Sequence, residues 1–368
     1  MSRIPLVDLA AAHAEVADEV EAGFKRIIAE TAFVGGAEVA AFEQEYAAFS
    51  GLPHCVGVAN GTDALELAFR AVGVGPGSEV ILPANTFIAT AEAVARTGAR
   101  VVLVDCDPRT YLIDVDAALA AVTPATRAIA PVHLYGQLAP VELLREGLAG
   151  RDVAIVEDAA QSQGATRHGR GSGVDGIAAT SFYPGKNLGA YGDAGAVTTA
   201  SDGWATTVRT LGSHGGLRKY HHDLVGVNSR LDGLQAVVLR AKLARLAGWN
   251  ERRRAAAARY HELLAGFDDV VRPVTLAGNE HVWHIYCIQV PRRDEVLEHL
   301  HAAGVGAAIH YPIPVHRTGA FADLGGSFPM AEAVAPRILS LPIYPQITPA
   351  QQERVAEALG QALSRTKA

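Results

Sequence analysis

Apolar residues in the first 200 positions of the chain fall into short continuous runs at 55–58, 79–82, 101–104, 128–132, 153–156, 178–182 and 196–199. Runs that do not alternate with polar residues suit strands covered on both faces, as in a parallel sheet flanked by helices. Between them lie segments of helical period, such as 63–72 and 88–96. This alternation predicts a βαβα layout, an α/β fold with a mostly parallel sheet whose ligands gather at the strand C-terminal ends. An amphipathic helix is expected over 16–28, and a long helical bridge over about 231–264, interrupted near Gly248. After Gly266 the pattern changes to strand-like stretches at 284–290 and 307–309, with helices at 294–303 and 349–363. The expected division is a large α/β domain over 1–248 and a small C-terminal α+β domain over 249–368.

Composition narrows the function classes. Acidic side chains number 39 against 32 basic ones, a formal net charge of −7, which disfavours a nucleic-acid binder. A hydrophobic share of 49% and a charged share of 19% suit a chain with a large buried core rather than a disordered one. Cys55, Cys106 and Cys287 lie far apart, beside apolar runs, and read as small buried residues rather than a disulfide framework or zinc site. The start MSRIPLVDLAAAH lacks a basic stretch followed by an apolar one, and no run of about 18 apolar residues is free of charge. A soluble, cytoplasmic protein without membrane contact is expected.

Lysine is scarce: the chain has five, Lys25, Lys186, Lys219, Lys242 and Lys367, so lysine chemistry has few candidates. Lys25 in the 16–28 helix, Lys242 in the long helix and Lys367 in the tail read as solvated. Lys186 differs, because it follows an apolar strand in the glycine-rich stretch Ser181-Phe-Tyr-Pro-Gly-Lys186-Asn-Leu-Gly-Ala, which suits neither helix nor long strand. A lysine so placed can be a Schiff-base lysine, partly desolvated beside a planar cofactor, or an ordinary loop lysine.

The partners such a cofactor needs are candidates elsewhere in the chain. Asp158 ends the run Val153-Ala-Ile-Val-Glu157-Asp158 and could hold a pyridine nitrogen protonated, or cap a following helix. Glu157 should face the other side of the strand. Gln161 could meet a phenolate oxygen or lie solvated in a loop. Asn60-Gly61-Thr62-Asp63 offers a glycine turn and helix start for a phosphate, with Ser181 as a second hydroxyl, although Thr62 serves equally as a helix cap. Phe87, just past a strand, could stack on a ring or pack in the core.

Taken in order, Gly61-Thr-Asp-Ala-Leu, Asn85-Thr-Phe-Ile-Ala-Thr, Glu157-Asp-Ala-Ala-Gln161, the Lys186 stretch and Asn228-Ser-Arg-Leu-Asp232 span nearly the whole chain. The set resembles the DegT/DnrJ/EryC1/StrS family of sugar aminotransferases. That resemblance implies a fold-type I α/β enzyme using pyridoxal 5′-phosphate, with Lys186 as the Schiff-base residue, Asp158 at the pyridinium nitrogen and Gln161 near O3′. It also implies Gly61, Thr62 and Ser181 at the phosphate, Phe87 on the ring, and Asn228 reaching the phosphate from the partner subunit of an obligatory homodimer. Tyr183, Lys219, His310 and Tyr311 become substrate-binding candidates. Gly212-Ser-His214, Lys219-Tyr220 and the segment from Asn228 look most like members that aminate C3 of a nucleotide-linked 3-keto-6-deoxyhexose with L-glutamate as donor. C4 amination, a cyclitol ketone and an inactive cofactor-binding regulator are the alternatives.

Other chemistries fit less well. A P-loop needs glycine where Thr180 stands and Ser or Thr where Asn187 stands. Gly73-Val-Gly75-Pro-Gly77 follows a helix rather than a strand, unlike a dinucleotide fingerprint. His281-x-x-His284 and His221-His222 lack a third ligand of fitting spacing, so no metal is expected. Lysine rather than histidine at 186 argues against a related sugar dehydrase, and Gly185 rather than histidine before it argues against the fold-type I decarboxylases.

Overall fold

The computed structural model describes residues 3–366; Lys367, expected as a tail lysine, lies outside the described residues. The strands are β1 (His54–Val58), β2 (Glu79–Pro83), β3 (Arg100–Val104), β4 (Thr126–Ile129), β5 (Ala154–Asp158), β6 (Thr166–Arg167), β7 (Ile177–Ser181), β8 (Gly195–Thr199), β9 (Asn279–Glu280), β10 (Tyr286–Gln289) and β11 (Ile338–Leu341). The first half carries helices α1 (Leu9–Ala14), α2 (Ala17–Glu30), α3 (Gly36–Ser50), α4 (Gly61–Ala71), α5 (Ile88–Arg96), α6 (Val115–Ala120) and α7 (Val141–Gly147). The second half adds α8 (Asp202–Gly212), α9 (Gly233–Leu263), α10 (Arg293–Ala302), α11 (Pro329–Val334) and α12 (Pro349–Thr366).

Seven strands form one sheet in the order β1-β8-β7-β5-β4-β2-β3. All neighbours pair in parallel except β8, which runs antiparallel to both β1 and β7. The continuous apolar runs are therefore sheet interior, as expected of strands buried on both faces. Val80, Leu82, Val156 and Ala179 pack with Leu65, Phe69 and Val94 of the covering helices. A separate core joins Tyr260, Tyr286, Ile288, Val296, Leu339 and Leu359, and Ile4 belongs to it through a bridge to Val305.

Several expectations are corrected. The run at 128–132 is strand only as far as Ile129, because Pro131 has no N–H for the ladder; Val132 keeps one bridge to Asp158. Residues 307–309 contribute a single bridge, Ala308 to Ser340, while β10 pairs with β11. The long helix α9 is not interrupted at Gly248, where a Cβ would meet nothing within 4 Å. One interior glycine costs a helix about 1 kcal/mol, too little to break one packed against α2, α3 and α12. Lys242 is not solvated but 4% exposed, on the face of α9 that meets the loop after β7. Lys25 is exposed and all three cysteines are free and buried, as expected.

Candidate active site

The C-terminal ends of β1, β2, β5 and β7 open onto a cavity of about 830 Å³. At the end of β1 the chain turns through Asn60, whose Oδ1 accepts from Asp63 N at 2.8 Å and caps α4. Thr62 is thus inside the first turn rather than at the cap, and its side chain lines the cavity beside the free N–H groups of that turn. A Cβ on Gly61 would lie 2.5 Å from Ser181 Cβ and 3.0 Å from its Oγ. Only glycine lets the positive end of α4 come this close to the Ser181 hydroxyl, which makes a cup for an anion.

Asp158, at the end of β5, is buried; its Oδ1 accepts from Ala160 N at 3.1 Å and its Oδ2 from Thr90 Oγ1 at 2.8 Å. Thr90 in turn meets Thr86, just before the helix, at 2.8 Å, so α5 orients the carboxylate through the Thr90 hydroxyl. No helix follows Asp158, so it caps none. Glu157 faces the other way, against buried His133 at 2.8 Å. Gln161 is buried rather than solvated: its Oε1 accepts from Tyr135 N at 2.7 Å and its Nε2 donates to Tyr311 Oη at 3.1 Å. Phe87 does not join the core; it is 50% exposed at the cavity, its ring 5.1 Å from that of Tyr311.

Lys186 extends from the loop after β7 into this cavity. Burial lowers its ammonium to about 8 while Asp158 pulls the other way, so a neutral amine is accessible close to neutral pH. Burial and the nearby Lys186 hold His310 down to about 4, and His284 is likewise kept neutral. Neutral His284 donates from Nδ1 to Asn187 Oδ1 at 3.1 Å, and Asn187 Nδ2 donates to Asn250 Oδ1 and Val282 O. Burial and the Asp158 charge keep Tyr311 a protonated phenol.

Ten of the twelve residues singled out from sequence line the cavity: Lys186, Gly61, Thr62, Phe87, Asp158, Gln161, Ser181, Tyr183, His310 and Tyr311. Lys219 and Asn228 do not. Both are exposed, Lys219 over the ring of Tyr220 and Asn228 accepting from Arg230 Nε at 3.1 Å. Sequence reasoning missed Thr90, Asn187 and Asn250, whose roles depend on contacts across 68 and 63 residues. Ser229, read from sequence only as a marker of C3-acting members, accepts at Oγ from Ala59 N at 3.1 Å and fixes the turn before Gly61. The only local signal was Asn187 beside the lysine. No cluster of potential metal ligands occurs among the described residues.

An amine of lowered basicity, a buried carboxylate across the cleft, an exposed aromatic face and an anion cup together suit a planar pyridine carrying an aldehyde and a phosphate. The pattern of the DegT/DnrJ/EryC1/StrS aminotransferase family matches residues 15–360. The chain belongs to that family. It is an aminotransferase, and pyridoxal 5′-phosphate is its cofactor. The aminotransferase is 45% identical over 97% of its length to a dTDP-3-amino-3,4,6-trideoxy-α-D-glucose transaminase of Streptomyces venezuelae, 95% of which is covered. It is 46% identical to a UDP-N-acetyl-3-dehydro-α-D-glucosamine 3-aminotransferase of Acidithiobacillus ferrooxidans, over 98% of both chains. The crystal structure of DesV from S. venezuelae superposes with a TM-score of 0.96 at 44% identity, covering 98% of this chain and 99% of that one. The seven-stranded sheet is accordingly that of a fold-type I enzyme. No helix among the described residues is long and apolar enough to cross a membrane.

Proposed function

We propose that this aminotransferase moves an amino group from L-glutamate to C3 of a nucleotide-linked 3-keto-6-deoxyhexose. The observation that carries the reading is Lys186, lowered to about 8 in one cavity with Asp158 and the cup of Gly61, Thr62 and Ser181. The relatives named for 3-amino sugars on two different nucleotides support position 3 and leave dTDP as the first nucleotide to try.

In this reading Asp158 meets the pyridine nitrogen, Phe87 covers the ring, and Gln161 offers Nε2 toward O3′ because its Oε1 is already held by Tyr135. Bound there, the cofactor supplies an exchangeable carbonyl carbon and an electron-withdrawing ring. Lys186 would hold the cofactor through Nζ and, when free, would take up and return a proton at the reacting carbon, as suits an amine whose ammonium lies at about 8. The lowered basicity of His310 and His284 leaves Lys186 as the stronger base, and the protonated Tyr311, accepting from Gln161 Nε2, keeps its own O–H to donate.

The same reading requires a second copy. Asp63, Glu92, Asp158 and Asp193 line the cavity against Lys186 and Arg96, an acidic excess of two facing a phosphate and a diphosphate sugar. Exposed Arg218 and Lys219 sit on a loop with exposed Leu217, Tyr220, Leu224 and Val225. Docked across a homodimer, that loop brings cations, with Asn228 of the partner subunit, to the missing side of the site.

The test runs the reaction backward: the enzyme with 2-oxoglutarate and candidate nucleotide amino sugars, the keto product identified by mass and NMR. The 3-amino 6-deoxyhexose should be consumed with release of glutamate. Faster consumption of a 4-amino sugar or an aminocyclitol would overturn the substrate assignment, and no glutamate from any of them would overturn the substrate class altogether.

A further inference from the structure

The long helix α9 crosses under the loop that carries Lys186 and grips it at three points. Gln235 Oε1 accepts from Tyr191 N at 2.8 Å, Lys242 Nζ donates to Gly189 O at 2.7 Å, and Asn250 Oδ1 accepts from Asn187 Nδ2 at 2.9 Å. Separations of seven and eight residues put all three on one face of the helix. Two of these contacts are neutral and ordinary.

The Lys242 contact is different. Its residue is 4% exposed, its Nζ lies 4.5 Å over the Tyr191 ring, and no carboxylate pairs with it among the described residues. Burial without a counter-ion lowers the ammonium to about 8 and opposes folding. A methionine would fill the same space without that penalty, so the gain lies in what the ammonium holds. The loop it holds is folded tightly on itself: Lys186 N donates to Tyr183 O, Ala190 N donates to Phe182 O, and a Cβ on Gly189 would lie 2.2 Å from Pro184 O. Lys186 therefore rides on a closed turn, and the carbonyl gripped by Lys242 belongs to its closing end.

We propose that Lys242 is a positioning residue for Lys186: by holding the Gly189 carbonyl against α9 it sets the height and direction at which Lys186 enters the cleft. Lys242 does not itself line the cavity, so it acts through the loop. The proposal rests on Lys186 being the residue that takes up the cofactor.

The test compares the holoenzyme with Lys242→Met, Lys242→Arg and Lys186→Ala, and with Lys25→Met as a control for losing an exposed lysine. In Lys242→Met the cofactor should dissociate about tenfold more readily and its absorption band should shift, while kcat falls about tenfold to a hundredfold and KM for glutamate stays within about threefold. Hydrogen exchange should quicken at amides 183–191 but not in the sheet, the thermal midpoint should hold or rise, and Lys242→Arg should recover part of the loss. An unchanged band and kcat, or a lowered midpoint with exchange quickened everywhere, would overturn the proposal. If Lys242→Met does not fold, Lys242→Arg decides it, since a retained cation and donor that leave the band and kcat intact support the role and a full loss overturns it. Covalent cofactor uptake by Lys186→Ala would instead sink the reading of Lys186, whatever Lys242 does.

Discussion

Two loops carry the two lysines that composition left as candidates, and they are built in opposite ways. The loop after β7 holds Lys186 and is tied down by Gln235, Lys242 and Asn250, with Asn187 buried beneath it. The loop after α8 holds Lys219 and turns Leu217, Tyr220, Leu224 and Val225 outward, Val225 at 96% exposure. Glycines let its backbone double back, since a Cβ on Gly216 would lie 1.7 Å from His221 O, but little of this chain covers its side chains. The first loop is positioned by its own fold; the second is ordered toward a surface that a second copy can supply. In the homodimer proposed above, the site would gain precision from the first loop and depend on association for the second.

Removing the best-held group should have the largest effect. Lys186→Ala is expected to lower transamination by on the order of a thousandfold or more while the chain still folds, read by single-turnover release of 2-oxoglutarate. Asp158→Asn keeps the shape but not the charge and should cost about a hundredfold in kcat, with the thermal midpoint little changed. Mixing Lys186→Ala with Lys219→Ala protein tests whether the exposed loop serves the neighbouring site. A 1:1 mixture, half of it hybrid dimers with one intact site of two, should then recover about a quarter of wild-type activity, and no recovery would place both lysines in one subunit's site.

A smaller effect concerns pH. Capture of pyridoxal phosphate by the cofactor-free protein needs neutral Lys186, whose ammonium lies at about 8. The second-order rate should therefore rise as pH increases from about 7 to 9 and level off above, whereas an unperturbed lysine would still be rising at pH 10. The smallest change should be Gly248→Ala, at an uncrowded interior position of α9. It is expected to stabilise by about 0.5 to 1 kcal/mol, read by chemical unfolding. It should also slow hydrogen exchange in the loop gripped by α9 without changing the loop after α8.

Much of the fold was legible because period and run length are local. The continuous runs became the strands of a mostly parallel sheet, with β8 alone antiparallel to its neighbours, and the glycine-rich stretch after β7 became the lysine loop. Gly61 was legible as a turn, and its close approach to Ser181 now explains why nothing larger fits. Pro131 and Gly248 misled in opposite directions, one ending a strand early and the other failing to break a helix, because neighbouring elements decided how much each local preference counted.

The sequence by itself determined which chemistry was available: one lysine among glycines after a strand, one aspartate at a strand end, and a glycine-threonine helix start. Only the tertiary structure decided where burial fell. Phe87 could stack on a ring or pack in the core and Lys242 looked solvated, and the fold exposed the first at the cavity and buried the second under Gly189. Burial is set by segments distant along the chain, here α9 against the loop after β7, so no local pattern carries it. The penalty for burying an unpaired ammonium is what marks Lys242 as a residue kept for more than filling space.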